Sequence, residues 1–423
     1  MGNRLIVSNI GLLATPLGCR AASGAAQGQI SMRSHAYLVA EDGVITAVGN
    51  GRVPESLMQG ARHIDAGGNL VTPGLVDAHT HLVFGGWREH ELAMKRRGVP
   101  YLDILAQGGG ILSTVRMTRD ASQKALTEKA GQALEAMLRL GVTTCEAKSG
   151  YGLDRQTELK QLAVIRELGR TQPVELVATY LGAHALPEEY KNRRADYIRL
   201  LTEEMLPLIA REGLAEFCDV FCETGVFTAA EAEQILRTAL AHGLKAKIHT
   251  DEIDAIGGTE LAGMLPAVSA EHLIAATDRG ILALAQGGTV AVLLPATSFY
   301  LGKPYARARD MIAAGVPVSV ASDYNPGSCP SLNLQLVMNL ACWNYGMSPE
   351  EVLTAVTLNA AAAICRADRL GSLEVGKQAD LVIWDAPNLD YIFYRFGQNL
   401  AKTVIKQGRI AAGALPHQPE TLA

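Results

Sequence analysis

Between residues 75 and 323 the chain repeats one kind of unit eight times: a short run rich in β-branched and aliphatic residues, then a longer segment with helical periodicity. The runs occupy 75–82, 142–148, 174–181, 217–222, 244–250, 267–273, 289–294 and 316–323, and helices are expected at 121–140, 156–169, 229–242 and 348–365 among others. Strands that alternate with helices lie parallel, because each helix carries the chain back to the starting edge of the sheet. Eight such units close into an α/β fold, a (β/α)8 TIM-like barrel, and about 290 residues is an ordinary size for one. In that fold the reacting groups stand at the C-terminal ends of the strands, so chemistry is sought there.

The two ends of the chain read as β structure. A strand is expected at 4–10, and the runs 37–40 and 44–48 flank Glu41-Asp42-Gly43, a hairpin signal because Gly accepts positive φ. Runs at 371–376, 379–384 and 403–405 repeat the style near the other end. Neither piece has enough strands to stand alone. Residues 1–68 and 363–423 are therefore expected to combine into one small β-sandwich domain beside a barrel spanning 69–362.

Charge and cysteine usage narrow the function. Lys and Arg number 38 against 43 Asp and Glu, a formal net charge of -5, and the longest basic tract is Lys95-Arg96-Arg97. That is no footprint for a phosphate backbone, so nucleic acid is not an expected partner. The seven cysteines are scattered without zinc-ribbon spacing, which suits reduced thiols and a cytoplasmic location. Leu17-Gly18-Cys19 loosely resembles a lipoprotein cleavage site, but Ser8, Asn9, Gly11 and Pro16 interrupt the apolar stretch before it. Ile6 stands where N-myristoylation of Gly2 requires Ser or Thr. No apolar run reaches the roughly 18 residues that span a bilayer, and no membrane association is expected.

At the end of the first barrel strand stands Asp77-Ala78-His79-Thr80-His81. A strand repeats every two residues, so His79 and His81 project from one face and can share a cation. Strand five ends in His249-Thr250-Asp251-Glu252, strand six in Glu271-His272, and strand eight in Ser322-Asp323. Four imidazoles and a carboxylate thus converge on one rim, where burying them without a partner is unfavourable. His79, His81, His249 and Asp323 form an N3O ligand set suited to zinc or iron. Such a site makes water nucleophilic near neutral pH.

These residues sit in longer stretches that resemble the amidohydrolase superfamily. They are Pro73-Gly74-Leu75-Val76-Asp77-Ala78-His79-Thr80-His81-Leu82-Val83-Phe84, Gly108-Gly109-Gly110-Ile111 with Ser113-Thr114-Val115-Arg116, Lys148-Ser149-Gly150-Tyr151-Gly152-Leu153, His249-Thr250-Asp251-Glu252, Leu294-Pro295-Ala296-Thr297 and Asp323-Tyr324-Asn325-Pro326-Gly327-Ser328. The glycine triplet and the Lys-Ser-Gly-Tyr-Gly stretch are similar to the members that open the ring of 4-imidazolone-5-propanoate to N-formimidoyl-L-glutamate in histidine degradation; general deaminases lack both. The alternative is a related member that deaminates or ring-opens another small heterocycle.

The resemblance implies a metal-dependent hydrolase with one Zn2+ or Fe2+/Fe3+ per subunit, and a possible homodimer. Binuclear members carry a carboxylated lysine at the end of strand four, and here that strand ends Phe221-Cys222-Glu223. Lys148, after strand two, is then expected to make a structural hydrogen bond or salt bridge near the site. For the substrate, the resemblance assigns Arg88 to the propanoate tail, Tyr151 to tail or ring, His184 to the ring, and Asn325, Gly327 and Ser328 to further contacts. The alternative for Asn325 and Gly327 is that they shape the turn. Proton transfers fall to Glu252, Asp323 and His272. Trp87 departs from the small or polar residue expected there. His35, His63, His90, His242 and His417 lie outside the strand ends and are expected to be ordinary. The triplet at 108–110 lacks the following Gly-Lys-Ser/Thr of a phosphate loop, and is expected on a mobile loop over the site.

Overall fold

The computed structural model describes residues 4–99 and 109–413; Met1, Gly2, Gly108 and His417 lie outside the described residues. Five strands precede the barrel: β1 (Arg4–Thr15), β2 (Ser31–Glu41), β3 (Val44–Asn50), β4 (Arg62–Asp65) and β5 (Leu70–Pro73). Eight follow in the barrel: β6 (Leu75–Asp77), β7 (Val142–Lys148), β8 (Glu175–Ala183), β9 (Phe217–Cys222), β10 (Lys245–Thr250), β11 (Ala267–His272), β12 (Val290–Leu293) and β13 (Val318–Val320). The chain ends in β14 (Leu381–Trp384), β15 (Ala401–Lys406) and β16 (Arg409–Gly413).

Strands β6 to β13 are hydrogen-bonded in sequence order, every neighbouring pair parallel. Closure falls just beyond the two short end strands. Thr80 bridges Tyr324, His81 N donates to the Tyr324 carbonyl (3.0 Å), and Asp323 N donates to the His79 carbonyl (3.1 Å). Three site residues therefore sit in the seam itself, and their backbone is fixed by the bonds that close the barrel.

The terminal segments form one sheet, in the order β16-β15-β14-β5-β1-β2-β3, with β4 branching from β1. The expected sandwich is thus a single hydrogen-bonded sheet, mixed because β4 and β5 both run parallel to β1. Its strands share one apolar core, in which Leu5, Val7, Leu38 and Ile45 from one end meet Leu381, Ile383 and Ile405 from the other. The hairpin forms as expected, with Asp42 at φ 48 and Gly43 at φ 85, the left-handed pair that matches strand twist.

Several boundaries differ from the sequence reading. β1 runs on past Ile10 to Thr15 because the register shifts between Val7 and Ile10, where Asn9 adopts φ 52. β5 bonds to both β1 and β14 and so belongs to the terminal sheet, although residues from 69 onward were assigned to the barrel. β4 and β5 are too short to show alternation. The helix expected over 348–365 is two, Pro349–Ala355 and Leu358–Ala363, broken at Thr357 with ψ -86. Among the described residues no helix is long and apolar enough to cross a membrane, and the seven cysteines are all unpaired.

Candidate metal centre and active site

Polar side chains fill the upper interior of the barrel. His79 and His81 follow β6, Lys148 ends β7, Asp219 lies within β9, Lys247 and His249 lie on β10, Glu271 and His272 end β11, and Asp323 follows β13. All nine are buried. Asp251, His272, Leu273 and Asp323 adopt positive φ (52, 73, 58 and 52), a conformation disfavoured for side chains with a Cβ. Such angles cluster where a strand end is turned to aim a functional group.

The proposed ligand atoms face one another. His79 Nε2 stands 3.4 Å and His81 Nε2 3.5 Å from Asp323 Oδ1, and His249 Nε2 stands 3.4 Å from His81 Nε2. Donors bound at about 2.1 Å in a tetrahedron lie about 3.4 Å apart, so this spacing fits one shared cation. His79 Nε2 is buried with no hydrogen-bond partner among the described residues. His272 also approaches, forming a ligand-competent triplet with His79 and His249. The donor set therefore fits a metal cofactor.

Beneath the histidines lies a network that the sequence reading left unassigned. Glu271 pairs with Nδ1 of His79, and Asp219 Oδ2 lies 2.9 Å from Nδ1 of His249. Each carboxylate fixes a ring so that Nε2 faces inward. Lys148 Nζ joins Glu146 (2.9 Å), Asp219 (2.8 Å) and Glu271 (3.0 Å), and Lys247 Nζ joins Glu146 (2.7 Å) and Glu271 (3.0 Å). Burial opposes the charge on Lys148, yet the Asp219, Glu146 and Glu271 carboxylates hold its pKa well above the ordinary value. Lys148 is thus the structural ion-pair residue expected. The missed members were legible by period: Glu146 and Lys247 each stand two residues from Lys148 and His249, on the same inward face.

Asp323 accepts from Thr297 Oγ1 at 2.6 Å. Burial raises its pKa, but His79, with help from His272 and Thr297, outweighs that and brings it down to about 2. Glu252 Oε2 lies 3.6 Å from His272 Nε2, and burial raises the pKa of Glu252.

The substrate-contact candidates divide into two groups. His184 stacks on His81 (centroids 4.8 Å apart, planes at 12°), and Tyr151 lies beside both rings at 5.2 and 5.7 Å. His184 Nδ1 is 3.0 Å from the Gly150 carbonyl, which can only accept, so Nδ1 carries the hydrogen and Nε2 keeps a lone pair. Burial first, then His249, lowers its pKa to about 3, so the ring is neutral.

In the second group, Arg88 is nine-tenths buried, and its Nε has no hydrogen-bond partner among the described residues. Glu91 Oε2 lies 3.8 Å from that nitrogen and 3.0 Å from Lys95 Nζ, while Glu91 Oε1 accepts from Gly110 N at 2.6 Å. Lys95 Nζ donates to the Gly327 carbonyl (2.9 Å). Asn325 organises its own turn: Oδ1 accepts from Gly327 N (2.8 Å) and Ser328 N (2.7 Å), and Nδ2 donates to the Asp323 carbonyl (2.7 Å) and Ser328 Oγ (2.8 Å). The turn-shaping alternative for Asn325 and Gly327 is what this geometry displays. Trp87 is a wall for Lys129, whose Nζ lies 4.5 Å from its ring and 3.9 Å from that of Phe84.

A parallel barrel with a histidine-rich rim, carried beside a sheet built from both ends, is one architecture of metal-dependent hydrolysis. Residues 70–411 match the amidohydrolase family, and the chain belongs to it. It is 54% identical over 370 residues to an imidazolonepropionase of Alkaliphilus metalliredigens, covering 86% of this chain and 87% of that protein. It is 51% identical over 405 residues to one of Bacillus velezensis, covering 96% of each. Within the family, then, the chain falls among the imidazolonepropionases and is a hydrolase acting on a small molecule. Among solved structures, 5-methylcytosine deaminase from Klebsiella pneumoniae superimposes with a TM-score of 0.73 at 20% identity, over 98% of this chain and 99% of that one; it shares the fold.

Proposed function

We propose that this protein hydrolyses the cyclic amide carbon–nitrogen bond of 4-imidazolone-5-propanoate, giving N-formimidoyl-L-glutamate, with His79, His81, His249 and Asp323 holding one zinc or iron ion. The observation that carries the reading is the pairing of a metal-competent rim with a buried, incompletely partnered Arg88 on one side of it. A neutral heterocycle without an anionic tail gives a buried guanidinium nothing to bind; a propanoate accepts two parallel hydrogen bonds from it.

The bound cation supplies Lewis acidity, which makes water nucleophilic near neutral pH and polarises a carbonyl. The protein does the rest. Arg88 fixes the tail, so the ring lies between the His81–His184 stack and Glu252. The Nε2 lone pair of His184 accepts from a ring N–H, and Tyr151 closes that side. Asp323, ionised and held by Thr297, accepts the proton of the attacking water. Glu252, whose pKa burial raises, delivers a proton to the departing ring nitrogen. His272, 3.6 Å from Glu252, polarises the carbonyl oxygen. Water adds to the carbonyl carbon, the carbon–nitrogen bond breaks, and the two products of that bond remain one molecule.

The test is consumption of imidazolone propanoate by purified protein, followed by absorbance, before chelation, after it and after return of zinc or ferrous iron. Turnover that disappears and returns is expected; no turnover in the metal-replete sample refutes the assignment. An enzyme for a tail-less heterocycle would keep its activity in Arg88→Ala.

A further inference from the structure

Glu252 sits on an irregular loop between β10 and the helix Gly258–Met264, yet its side chain must be aimed within a few tenths of an ångström to exchange protons with a bound ring. Two buried carboxylates bracket it. On the N-terminal side, Asp251 accepts from Thr250 Oγ1 (2.8 Å) and Thr259 Oγ1 (2.6 Å), and its carbonyl accepts from Ala275 N (2.7 Å). On the C-terminal side the support comes from another strand. Glu223, the residue after β9, is 1% exposed; Oε2 accepts from Ile253 N at 2.9 Å, and Oε1 accepts from Asp254 N at 3.1 Å and from Thr224 N at 2.7 Å.

These three bonds engage both oxygens of the Glu223 carboxylate, and no ligand-competent group among the described residues includes it. Ile253 N belongs to the peptide that begins at the Glu252 carbonyl, so a carboxylate gripping it and the next N–H fixes the backbone on which Glu252 turns. Bonds from backbone N–H to an ionised carboxylate are roughly twice as strong as neutral ones.

We infer that Glu223, given the proton-transfer role of Glu252, is the positioning residue of that glutamate. Its carboxylate ties the loop after β10 to the end of β9, and it acts on catalysis only through Glu252.

The test is a double-mutant cycle with metal content measured for every protein. Glu223→Ala is expected to lower kcat by about 30-fold, within the range a misplacement of about 1 Å produces, while KM and bound metal stay at wild-type values. Glu223→Gln keeps the shape and one good acceptor oxygen, and should recover most of that loss. In the Glu252→Gln background, the residual turnover should not fall further when Glu223 is also replaced. The inference is overturned if Glu223→Ala has wild-type kcat beside an impaired Glu252→Gln, if its loss persists undiminished in the Glu252→Gln background, or if the loss tracks depletion of metal. Full activity of Glu252→Gln overturns the role of Glu252 and this inference with it. Should the alanine variant fail to fold, Glu223→Asp, whose shorter side chain cannot reach both Ile253 N and Asp254 N, takes its place in the cycle, and a wild-type kcat for it beside an impaired Glu252→Gln overturns the inference alone.

Discussion

The guanidinium of Arg88 lies against the Cα of Gly327, so closely that a Cβ at 327 would stand 1.0 Å from Nη2. Glycine is required there by the neighbour and not by the backbone, whose φ is one any residue adopts. Gly327→Ala should therefore displace Arg88 and weaken tail binding with little change in kcat. Losing charge-assisted hydrogen bonds worth about 1.5–3 kcal/mol corresponds to a KM increase of roughly 10- to 150-fold. Arg88→Ala should show the same rise, and the double variant should be no worse than Arg88→Ala. Additive effects in steady-state kinetics would show that the two residues act separately.

Lys148 touches three buried carboxylates, two of which orient metal histidines. Lys148→Met leaves those anions facing one another, and breaking a buried ionic network at one partner destabilises by about 3–5 kcal/mol. Urea unfolding should show a loss of that order, and elemental analysis should show reduced metal content because His79 and His249 lose their fixed orientation. Wild-type stability and metal content together would contradict this account of the network.

Chelation has its own signature. Three imidazoles and a carboxylate packed at 3.4–3.5 Å are mutually unfavourable without a shared cation, so the metal binds the folded chain far better than the unfolded one. At free metal a thousandfold above Kd that linkage contributes about 4 kcal/mol of stability. Dialysis against a chelator should lower Tm as well as abolish turnover, and one equivalent of zinc or ferrous iron should restore both. An unchanged Tm would argue against these four residues as the ligands.

The barrel was legible because each strand is a contiguous apolar run between helical segments, and the rim because His79, His81, His249 and Asp323 sit at the ends of those runs. Glu223 and Glu91 were not, since an isolated glutamate in a polar turn has no period to betray it. Its meaning lies in distant backbone N–H groups, Gly110 for Glu91, 19 residues away, and Ile253 for Glu223, 30 residues away. The short β4 and β5 escaped for a related reason: four residues of strand carry too little alternation, and only their pairing with β1 defines them. The helix break at Thr357 is local, its hydroxyl turning back to the Leu353 carbonyl while the chain changes direction, and the residue type alone does not set that choice.

His184 supplies a pH signature with a definite sign. Burial, then the neighbouring His249, lowers its pKa from 6.5 to about 3 in the folded chain. The unfolded chain thus takes up a proton near pH 6.5 that the folded chain refuses until about pH 3, so the unfolded state holds more protons in that window and stability falls as the pH falls through it. One such group contributes a slope of up to about 1.4 kcal/mol per pH unit. His184→Gln keeps a donor for the Gly150 carbonyl and removes the titration. Urea unfolding of the metal-free wild type and variant at pH 4, 5, 6 and 7 should give a shallower pH dependence for the variant, by close to one proton at the steepest point. Parallel curves would mean that the imidazole is protonated in the folded protein, and a cationic ring stacked on His81 could not accept the hydrogen bond from the substrate ring that the neutral one offers.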